Sequence, residues 1–230
     1  MKFPTLELNK YFNSIDSFQG IFSVFGDFGT GKTTFSLQTA INSAEIDKSV
    51  IYIFTKPNFP YEKIKLICKF SKQIEKKIHF IHTLNFRELY RLIFNLEFLI
   101  LEYLTQNKPR FNLIVIDSIT NLYRLELNND NKEKNYSLNY QLNQMLANLA
   151  YLNEKYFIDV LIVNELNIKR IENQTIEIQS GGKVMEFWAK YLLKITKTQI
   201  LNERKFLFTN TAKQYSLEFT SSLGEQGFKK

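Results

Sequence analysis

The sequence predicts an α/β fold in which a mostly parallel central sheet is flanked by helices and extended by antiparallel strands near the C-terminus. Short apolar runs alternate with helical periodicity up to Asn164, which is typical of βαβ units. A glycine-rich loop joins the first apolar run to the first helical segment. After Gly181-Gly182 this alternation ends, and three further runs with strand character predict consecutive antiparallel strands at the sheet edge.

Strands are predicted where short runs of β-branched and aromatic residues are bounded by turn residues or charges. Val50–Thr55, for example, ends at Lys56-Pro57, and Phe111–Asp117 ends in an acid. In chain order the predicted strands are Ile21–Phe25, Val50–Thr55, Ile78–His82, Phe111–Asp117, Ile158–Asn164, Trp188–Thr196, Arg204–Thr211 and Tyr215–Phe219.

Helices are predicted where apolar residues recur at helical spacing. The predicted helices are Thr33–Ala44, the lysine-rich Tyr61–Lys77, Leu84–Asn107, which Pro109 closes, and Ser137–Tyr156, with Ser137 as its candidate N-cap. Asn128–Asn135 contains no apolar residue and is predicted to be a mobile loop. Because no linker or repeat interrupts the pattern, we expect one domain over residues 1–230, with residues 1–19 as a short lead-in.

The glycine-rich loop carries the clearest chemical signal. Its spacing is that of a phosphate-binding (Walker A) loop, G-x-x-x-x-G-K-[ST], with a strand before it and a helix after it. Glycines let backbone N–H groups turn inward around phosphate oxygens, and the following helix adds the positive end of its dipole. The residues predicted to enclose ATP are Gly26, Asp27, Phe28, Gly29, Thr30, Gly31, Lys32, Thr33 and Thr34.

Two further groups complete the predicted nucleotide site. Lys32 is placed to reach the β- and γ-phosphates, and the Thr33 hydroxyl is a candidate ligand for Mg²⁺. Asp117 follows the apolar run of Leu113–Ile116, so that it has the form of a Walker B acid that holds the Mg²⁺ shell. The alternative is that Asp117 only caps a helix beginning at Ser118.

Composition limits the class of protein. Hydrophobic residues make up 44% and charged residues 23%, an ordinary balance for a globular chain. The single cysteine, Cys68, excludes an internal disulfide framework and fits a reducing compartment. The most apolar span, Leu89–Leu104, is interrupted by charges, and residues 1–10 lack the apolar core of a signal peptide. We therefore expect a cytoplasmic protein without a membrane segment.

The net charge of +7 is unevenly distributed. Lys56–Arg110 carries +6 and Leu166–Lys230 carries +5, whereas the remaining residues together carry −4. Two basic regions on a nearly neutral core suit a polyanionic partner such as DNA or RNA. Solvated lysine-rich helix faces explain the same charge equally well.

A family resemblance follows from several segments in order. Leu113–Leu127 resembles the Walker B segment of the RecA-type recombinases, in particular the short archaeal RadB-type paralogues. Ile162–Glu165 resembles the family's strand ending in Thr-Asn-Gln, and Gly181-Gly182 with Glu186–Lys190 resembles its Gly-Gly…Glu-Tyr-Trp-Ser-Lys run. Leu217–Phe219 is similar to its closing strand.

The resemblance extends from about Gly20 to Phe228 and implies a RecA-like P-loop ATPase core without the N-terminal DNA-binding domain of a full-length recombinase. It implies an accessory role in homologous recombination and DNA repair, with DNA or a recombinase as partner. The Phe-x-x-Ala tether of recombinase filaments does not occur in the sequence, so a monomer or dimer is expected rather than a filament.

The chain departs from the family at two positions that matter for hydrolysis. The family's second strand ends in Tyr-Ile-Asp-Thr-Glu, and that glutamate polarises the attacking water, whereas this chain has Phe54 and Lys56 there. A protonated lysine cannot act as a base. Glu165 replaces the family's γ-phosphate-sensing glutamine and is the candidate substitute acid. We expect Lys32, Asp117 and Glu165 to be the catalytic set, and ATP turnover to be weak or absent.

The resemblance also places two DNA-facing loops, at Asn128–Asn135 and Asn167–Ser180. In and beside the second, Lys169, Arg170 and Lys183 are the candidate contacts to phosphates of single-stranded DNA, giving affinity that is independent of base sequence. Solvated loops without a partner are the plain alternative. Two other functions share such a core: a signalling ATPase or autokinase of the clock-protein type, which the missing acids disfavour, and a nucleotide-stabilised scaffold without DNA binding.

Overall fold

The computed structural model describes residues 1–15, 19–44, 48–67, 76–106, 108–128, 130–171 and 174–229. Within these residues the strands are β1 (Ile21–Gly26), β2 (Lys48–Phe54), β3 (Ile78–His82), β4 (Arg110–Asp117), β5 (Asp159–Val163), β6 (Leu166–Ile171), β7 (Gln174–Gln179), β8 (Ala189–Lys197), β9 (Glu203–Asn210), β10 (Tyr215–Gly224) and β11 (Gly227–Phe228). The helices are α1 (Leu6–Asn13), α2 (Lys32–Ser43), α3 (Tyr61–Ile67), α4 (Phe86–Thr105), α5 (Ile119–Glu126), α6 (Lys132–Tyr156) and α7 (Gly182–Trp188).

A nine-stranded sheet with the order β11-β10-β9-β8-β1-β5-β4-β2-β3 runs through the described part of the chain. The six strands from β8 to β3 in this order are parallel to their neighbours, and β9, β10 and β11 continue the sheet in antiparallel pairing. The predicted fold class is therefore confirmed. β8 connects the parallel part of the sheet to its antiparallel part, since it pairs parallel to β1 and antiparallel to β9.

Both faces of the parallel part are covered, which explains why its strands are apolar without alternation. Along β4, Ile114 and Ile116 pack into the cluster formed with α4 and α6, whereas Leu113 and Val115 pack into the cluster formed with α2. All six residues of β1 are buried. Because the carboxyl ends of parallel strands share one edge, the loops after β1, β2, β4 and β5 come together there.

Three local expectations were wrong or incomplete. Residues 132–135 of the predicted loop Asn128–Asn135 form the first turn of α6, because the Asn131 side chain caps that helix by accepting from the Lys134 backbone N–H at 2.9 Å. Ser137 is therefore not the N-cap. Asn167–Ser180 is not a loop either, since β6 and β7 pair as an antiparallel hairpin.

The other differences concern ends of elements. β10 continues past the predicted end at Phe219 to Gly224, and α5 is a separate helix that the periodicity did not predict. The predicted helix Tyr61–Lys77 is present as α3 up to Ile67, and its continuation over residues 68–75 lies outside the described residues. In the part of the chain that the structure describes, no helix combines the length and apolarity needed to cross a bilayer.

Candidate nucleotide-binding site

The glycine-rich loop closes tightly between β1 and α2. Gly26 has a φ of 154°, and a Cβ atom there would lie 2.1 Å from the carbonyl oxygen of Ile195 on β8. Gly31 is the N-cap of α2 with a φ of 100°, in the left-handed region that favours glycine. A side chain at Gly31 would also meet the ring of Phe228 at 2.8 Å. Glycine at these two positions therefore lets the loop curl as a phosphate cradle requires.

Lys32 is held over this loop. Its side chain is only 6% exposed, and Nζ donates to the carbonyl oxygens of Gly26 at 2.7 Å and Asp27 at 2.8 Å. The same ammonium forms an ion pair with Glu165 Oε2 at 3.2 Å. Burial lowers the pKa of Lys32, while the Glu165 carboxylate opposes that shift. The ammonium is thus in place for a phosphate, with the Glu165 carboxylate as its present anionic partner.

Asp117 ends β4 and is fully buried. Its Oδ2 accepts a hydrogen bond from the Tyr52 hydroxyl at 3.3 Å, and that hydroxyl also lies 2.7 Å from Ser36 Oγ. Burial and the nearby Asp117 charge raise the pKa of Tyr52 well above its ordinary value, so the phenol stays protonated. The N-cap of α5 is Ser118, whose hydroxyl accepts from Asn121 N, so the alternative in which Asp117 caps this helix is wrong.

Lys56 lies in the centre of the site, just beyond β2. Its Nζ is 3.1 Å from Asp117 Oδ1 and donates to Thr33 Oγ1 at 3.3 Å. Glu165 Oε1 is 4.0 Å away. Within the described residues, Asp117 Oδ1 accepts no hydrogen bond, so its contact with Lys56 is an ion pair without hydrogen-bond alignment. One ammonium therefore lies between the two side chains predicted to hold Mg²⁺.

A cavity of about 580 Å³, a size typical of small-molecule sites, is bordered by Lys32, Thr33, Lys56 and Glu165, whereas the buried Asp117 does not line it. Its lining residues are Phe28, Gly29, Gly31, Lys32, Thr33, Thr34, Lys56, Pro57, Lys63, Asn121, Arg124 and Glu165. Of the predicted cradle, Gly26 and Asp27 supply the carbonyls that hold Lys32, and Thr30 is buried with its hydroxyl on Asp27 O. The structure thus brings the predicted nucleotide site together.

Sequence reasoning missed part of this lining. Lys63 on α3 and Arg124 on α5 add two cations, and Asn121 adds an amide; Asn121 and Arg124 lie within the Leu113–Leu127 segment of the family resemblance, but neither was predicted to line the site. The only signal was the lysine-rich pattern of the α3 segment. Burial lowers the pKa of Lys63. Four cations face one cavity-lining carboxylate, Glu165, which suits a polyphosphate.

The donor set fits a triphosphate better than it fits a metal ion. The glycine loop, the α2 N-terminus and Lys32 present amides and positive charge to phosphate oxygens. In contrast, the Thr33 hydroxyl and the Asp117 carboxylate, the predicted Mg²⁺ ligands, are bridged by the Lys56 ammonium. Among the described residues no group of three or more His, Cys, Asp and Glu is arranged to hold a metal. As arranged here, these side chains do not fit a Mg²⁺ ion.

The predicted DNA contacts lie around the β6–β7 hairpin. Lys169 and Arg170 are on β6, and their side chains are outside the described part of the structure. Lys183 is exposed near the start of α7 and lines a second cavity of about 500 Å³ beside the hairpin. Arg124 lines both this cavity and the nucleotide cavity, so the two are neighbours.

The base of the hairpin is tied to the nucleotide edge of the sheet. Asn164 donates to Ser180 O at 2.7 Å and accepts from the Thr120 hydroxyl. Ser180 N donates to Glu165 O at 2.8 Å, and Ser23 on β1 donates to Gln179 Oε1 at 2.6 Å. The residue that pairs with Lys32 is thus also a backbone anchor of the hairpin. Apart from Asn164 and Glu165, no sequence signal singled out this network.

Comparison with known proteins agrees with the family resemblance. A sequence model of the Rad51 family matches residues 8–220. The chain is 32% identical over 181 residues to the "DNA repair and recombination protein RadB" of Methanococcus maripaludis, which covers 78% of this chain and 77% of that protein. A protein of the same name from Methanocaldococcus jannaschii is 32% identical over 178 residues, covering 77% and 78% of the two chains. The namesake from Thermococcus sibiricus is 28% identical over 178 residues, or 76% and 70%.

Proposed function

Since the chain belongs to the Rad51 family, as a RadB-type paralogue of the RecA-superfamily recombinases, we propose that it is an ATP-binding accessory protein of DNA recombination and repair. It acts in the cytoplasm as a single RecA-like core and binds single-stranded DNA, a full-length recombinase, or both. The observation that carries the proposal is the buried Lys32 ammonium above a glycine loop, in a cavity lined by four cations.

The bound triphosphate takes the place of the Glu165 carboxylate on Lys32. A carboxylate next to a phosphate is repelled, whereas in the present arrangement it neutralises the lysine at 3.2 Å. Glu165 is also joined to the hairpin through the Ser180 N–H. Nucleotide binding therefore moves a residue that anchors the proposed DNA-binding hairpin, which links the two sites.

Hydrolysis is proposed to be weak or absent. A general base must be deprotonated and within reach of the attacking water. Lys56 follows the strand end where the family has its glutamate, and its ammonium is bound to Asp117 and Thr33. The remaining candidate, Glu165, is paired with Lys32 without nucleotide, and once the triphosphate displaces it the phosphate charge repels it from the position of the attacking water.

DNA binding is expected to be sensitive to salt. With three phosphate contacts, from Lys169, Arg170 and Lys183, the plot of log affinity against log salt for a fluorescent oligothymidylate should have a slope of about −2. Lys183→Ala should make the slope shallower by about 0.7, because one counterion fewer is released. Fluorescence anisotropy over a salt series, with and without ATP, measures both. Lys213→Ala, an exposed lysine in the turn after β9, is the matched control. No binding at low salt would favour the nucleotide-stabilised scaffold instead.

Incubation with ATP is expected to release no phosphate above the rate of the Lys32→Ala variant, with or without single-stranded DNA. The physical reason is that the Lys56 ammonium cannot act as a base and that the phosphates repel the displaced Glu165 carboxylate. A coupled phosphate-release assay, with a parallel test for self-phosphorylation using labelled ATP, measures both reactions. Steady turnover or a labelled chain would support the signalling ATPase and contradict the proposal.

A further inference from the structure

We propose that the Lys56 ammonium stands in for the metal ion of this nucleotide site, so that the chain binds the metal-free form of a nucleoside triphosphate. The inference rests on the proposed function, because it presumes that a triphosphate occupies the cradle. It assigns to Lys56 the role of a built-in counter-cation.

The position of Lys56 carries the argument. Its Nζ is 3.1 Å from Asp117 Oδ1 and 3.3 Å from Thr33 Oγ1, the two atoms on which a P-loop protein holds Mg²⁺. Mg²⁺ needs oxygen ligands at about 2.0–2.1 Å in a nearly octahedral arrangement. Such an ion and the lysine ammonium cannot occupy the space between these two atoms together.

The burial of Asp117 keeps the lysine there. The carboxylate is fully buried, its Oδ2 is bonded to Tyr52, and its Oδ1 has the Lys56 charge as its partner. A buried carboxylate without a counter-charge costs several kcal/mol, so removing Lys56 is unfavourable unless another cation replaces it. Mg²⁺ also loses its own water reluctantly, which adds to the cost of exchange.

The charge of the site supports the same conclusion. Lys32, Lys56, Lys63 and Arg124 face the carboxylates of Asp117 and Glu165, which leaves an excess of two positive charges without any metal. An acid in place of Lys56 would remove that excess. A lysine in place of an acid at residue 56 changes the charge of the site by +2, which equals the charge of one divalent cation. This charge lies next to the phosphates of a ligand that carries about four negative charges.

Binding of ATP in EDTA and in excess Mg²⁺ tests the inference directly. In excess Mg²⁺ nearly all ATP is complexed, so a site for the free tetra-anion should bind ATP more weakly there than in EDTA. Isothermal titration of the wild-type chain should give an apparent affinity in EDTA that is tighter than the one in excess Mg²⁺ by about threefold or more, or about 0.7 kcal/mol or more. A smaller difference, or tighter binding in Mg²⁺, overturns the inference. No binding in either condition contradicts the proposed function itself.

A pair of variants separates the position of Lys56 from its charge. Lys56→Met frees Thr33 and Asp117, so ATP affinity in EDTA should fall by about tenfold or more, and Mg²⁺ should recover most of it. Lys63→Met removes one charge from the same cavity but no contact to Thr33 or Asp117, so it should weaken binding equally in both conditions. If Lys56→Met shows no preference for Mg²⁺, the inference is wrong.

Discussion

Lys32→Ala is expected to abolish ATP binding, lowering the affinity by about a hundredfold or more. The ammonium is positioned by the carbonyl oxygens of Gly26 and Asp27, so its remaining N–H is directed at a phosphate oxygen once the triphosphate displaces Glu165. A hydrogen bond between charged groups contributes about 1.5–3 kcal/mol, and loss of one such bond together with the ammonium charge accounts for this factor. Isothermal titration with ATP in EDTA measures it.

The fold should survive this substitution. The Glu165 carboxylate loses its partner at 3.2 Å, but it remains a quarter exposed and has Lys56 at 4.0 Å. Lys65→Ala is the control, because that lysine lies 68% exposed on α3 and pairs with Glu62 on the same helix. Affinity within threefold of the wild type would refute the assignment of the phosphate cradle, provided that circular dichroism shows a folded chain.

The features that the sequence predicted well depend either on a few residues close together in the chain or on a pattern that repeats along it. The cradle from Gly26 to Thr34 is specified by backbone needs, since glycine at positions 26 and 31 is required by φ and by close packing. Strands such as Phe111–Asp117 are apolar on both faces, and this pattern follows directly from burial between two helix layers. The order of these elements then sets the edge at which the site forms.

Some features were not predicted because two nearby residues favour the same structural role. Asn131 and Ser137 are both residue types that favour the N-cap of a helix. Asn131 is the N-cap of α6, because Asn128 and Asn135 are hydrogen-bonded to each other in front of it. The hairpin β6–β7 was predicted as a loop because the family resemblance places a DNA-facing loop over Asn167–Ser180, whereas the structure pairs the two strands from Leu166 with Gln179 to Ile171 with Gln174.

The position of the Lys56 side chain was beyond sequence reasoning for a different reason. A motif fixes where the backbone of a residue lies, but a lysine side chain reaches several ångströms in a direction set by its partners. The sequence places residue 56 only at the end of the second predicted strand. The structure brings its ammonium to Asp117 and Thr33, because a buried carboxylate strongly favours a neighbouring cation.

Lys56→Glu is therefore expected to destabilise the metal-free chain strongly. The exchange puts a third carboxylate beside Asp117 and Glu165 and removes the cation that pairs with the buried one. Breaking a buried pair in this way costs about 3 kcal/mol. For a chain of this size that corresponds to a fall in Tm of about 6–12 °C. Differential scanning fluorimetry in EDTA measures the change.

Millimolar Mg²⁺ or Mn²⁺ should restore most of this loss in the variant and leave the wild type unchanged. Three carboxylates with the Thr33 hydroxyl form an oxygen-rich ligand set, and a divalent ion at a hundred times its Kd adds about 2.7 kcal/mol of stability. Lys63→Glu makes the same change of charge in the same cavity, at a residue that feels the Asp117 charge but, among the described residues, forms no ion pair with it, and should show no such rescue. Equal rescue of both variants would mean that the ion screens charge and binds no defined site.

The same variant also tests whether the second strand ends at the water position. Restoring an acid at residue 56 is expected to raise ATP turnover above the wild-type rate in Mg²⁺, because a carboxylate can polarise water and an ammonium cannot. Phosphate release, measured together with the thermal shift, distinguishes two results. Metal rescue with increased turnover places residue 56 at both the metal and the water. Metal rescue at an unchanged rate places it at the metal alone and means that another catalytic group is missing.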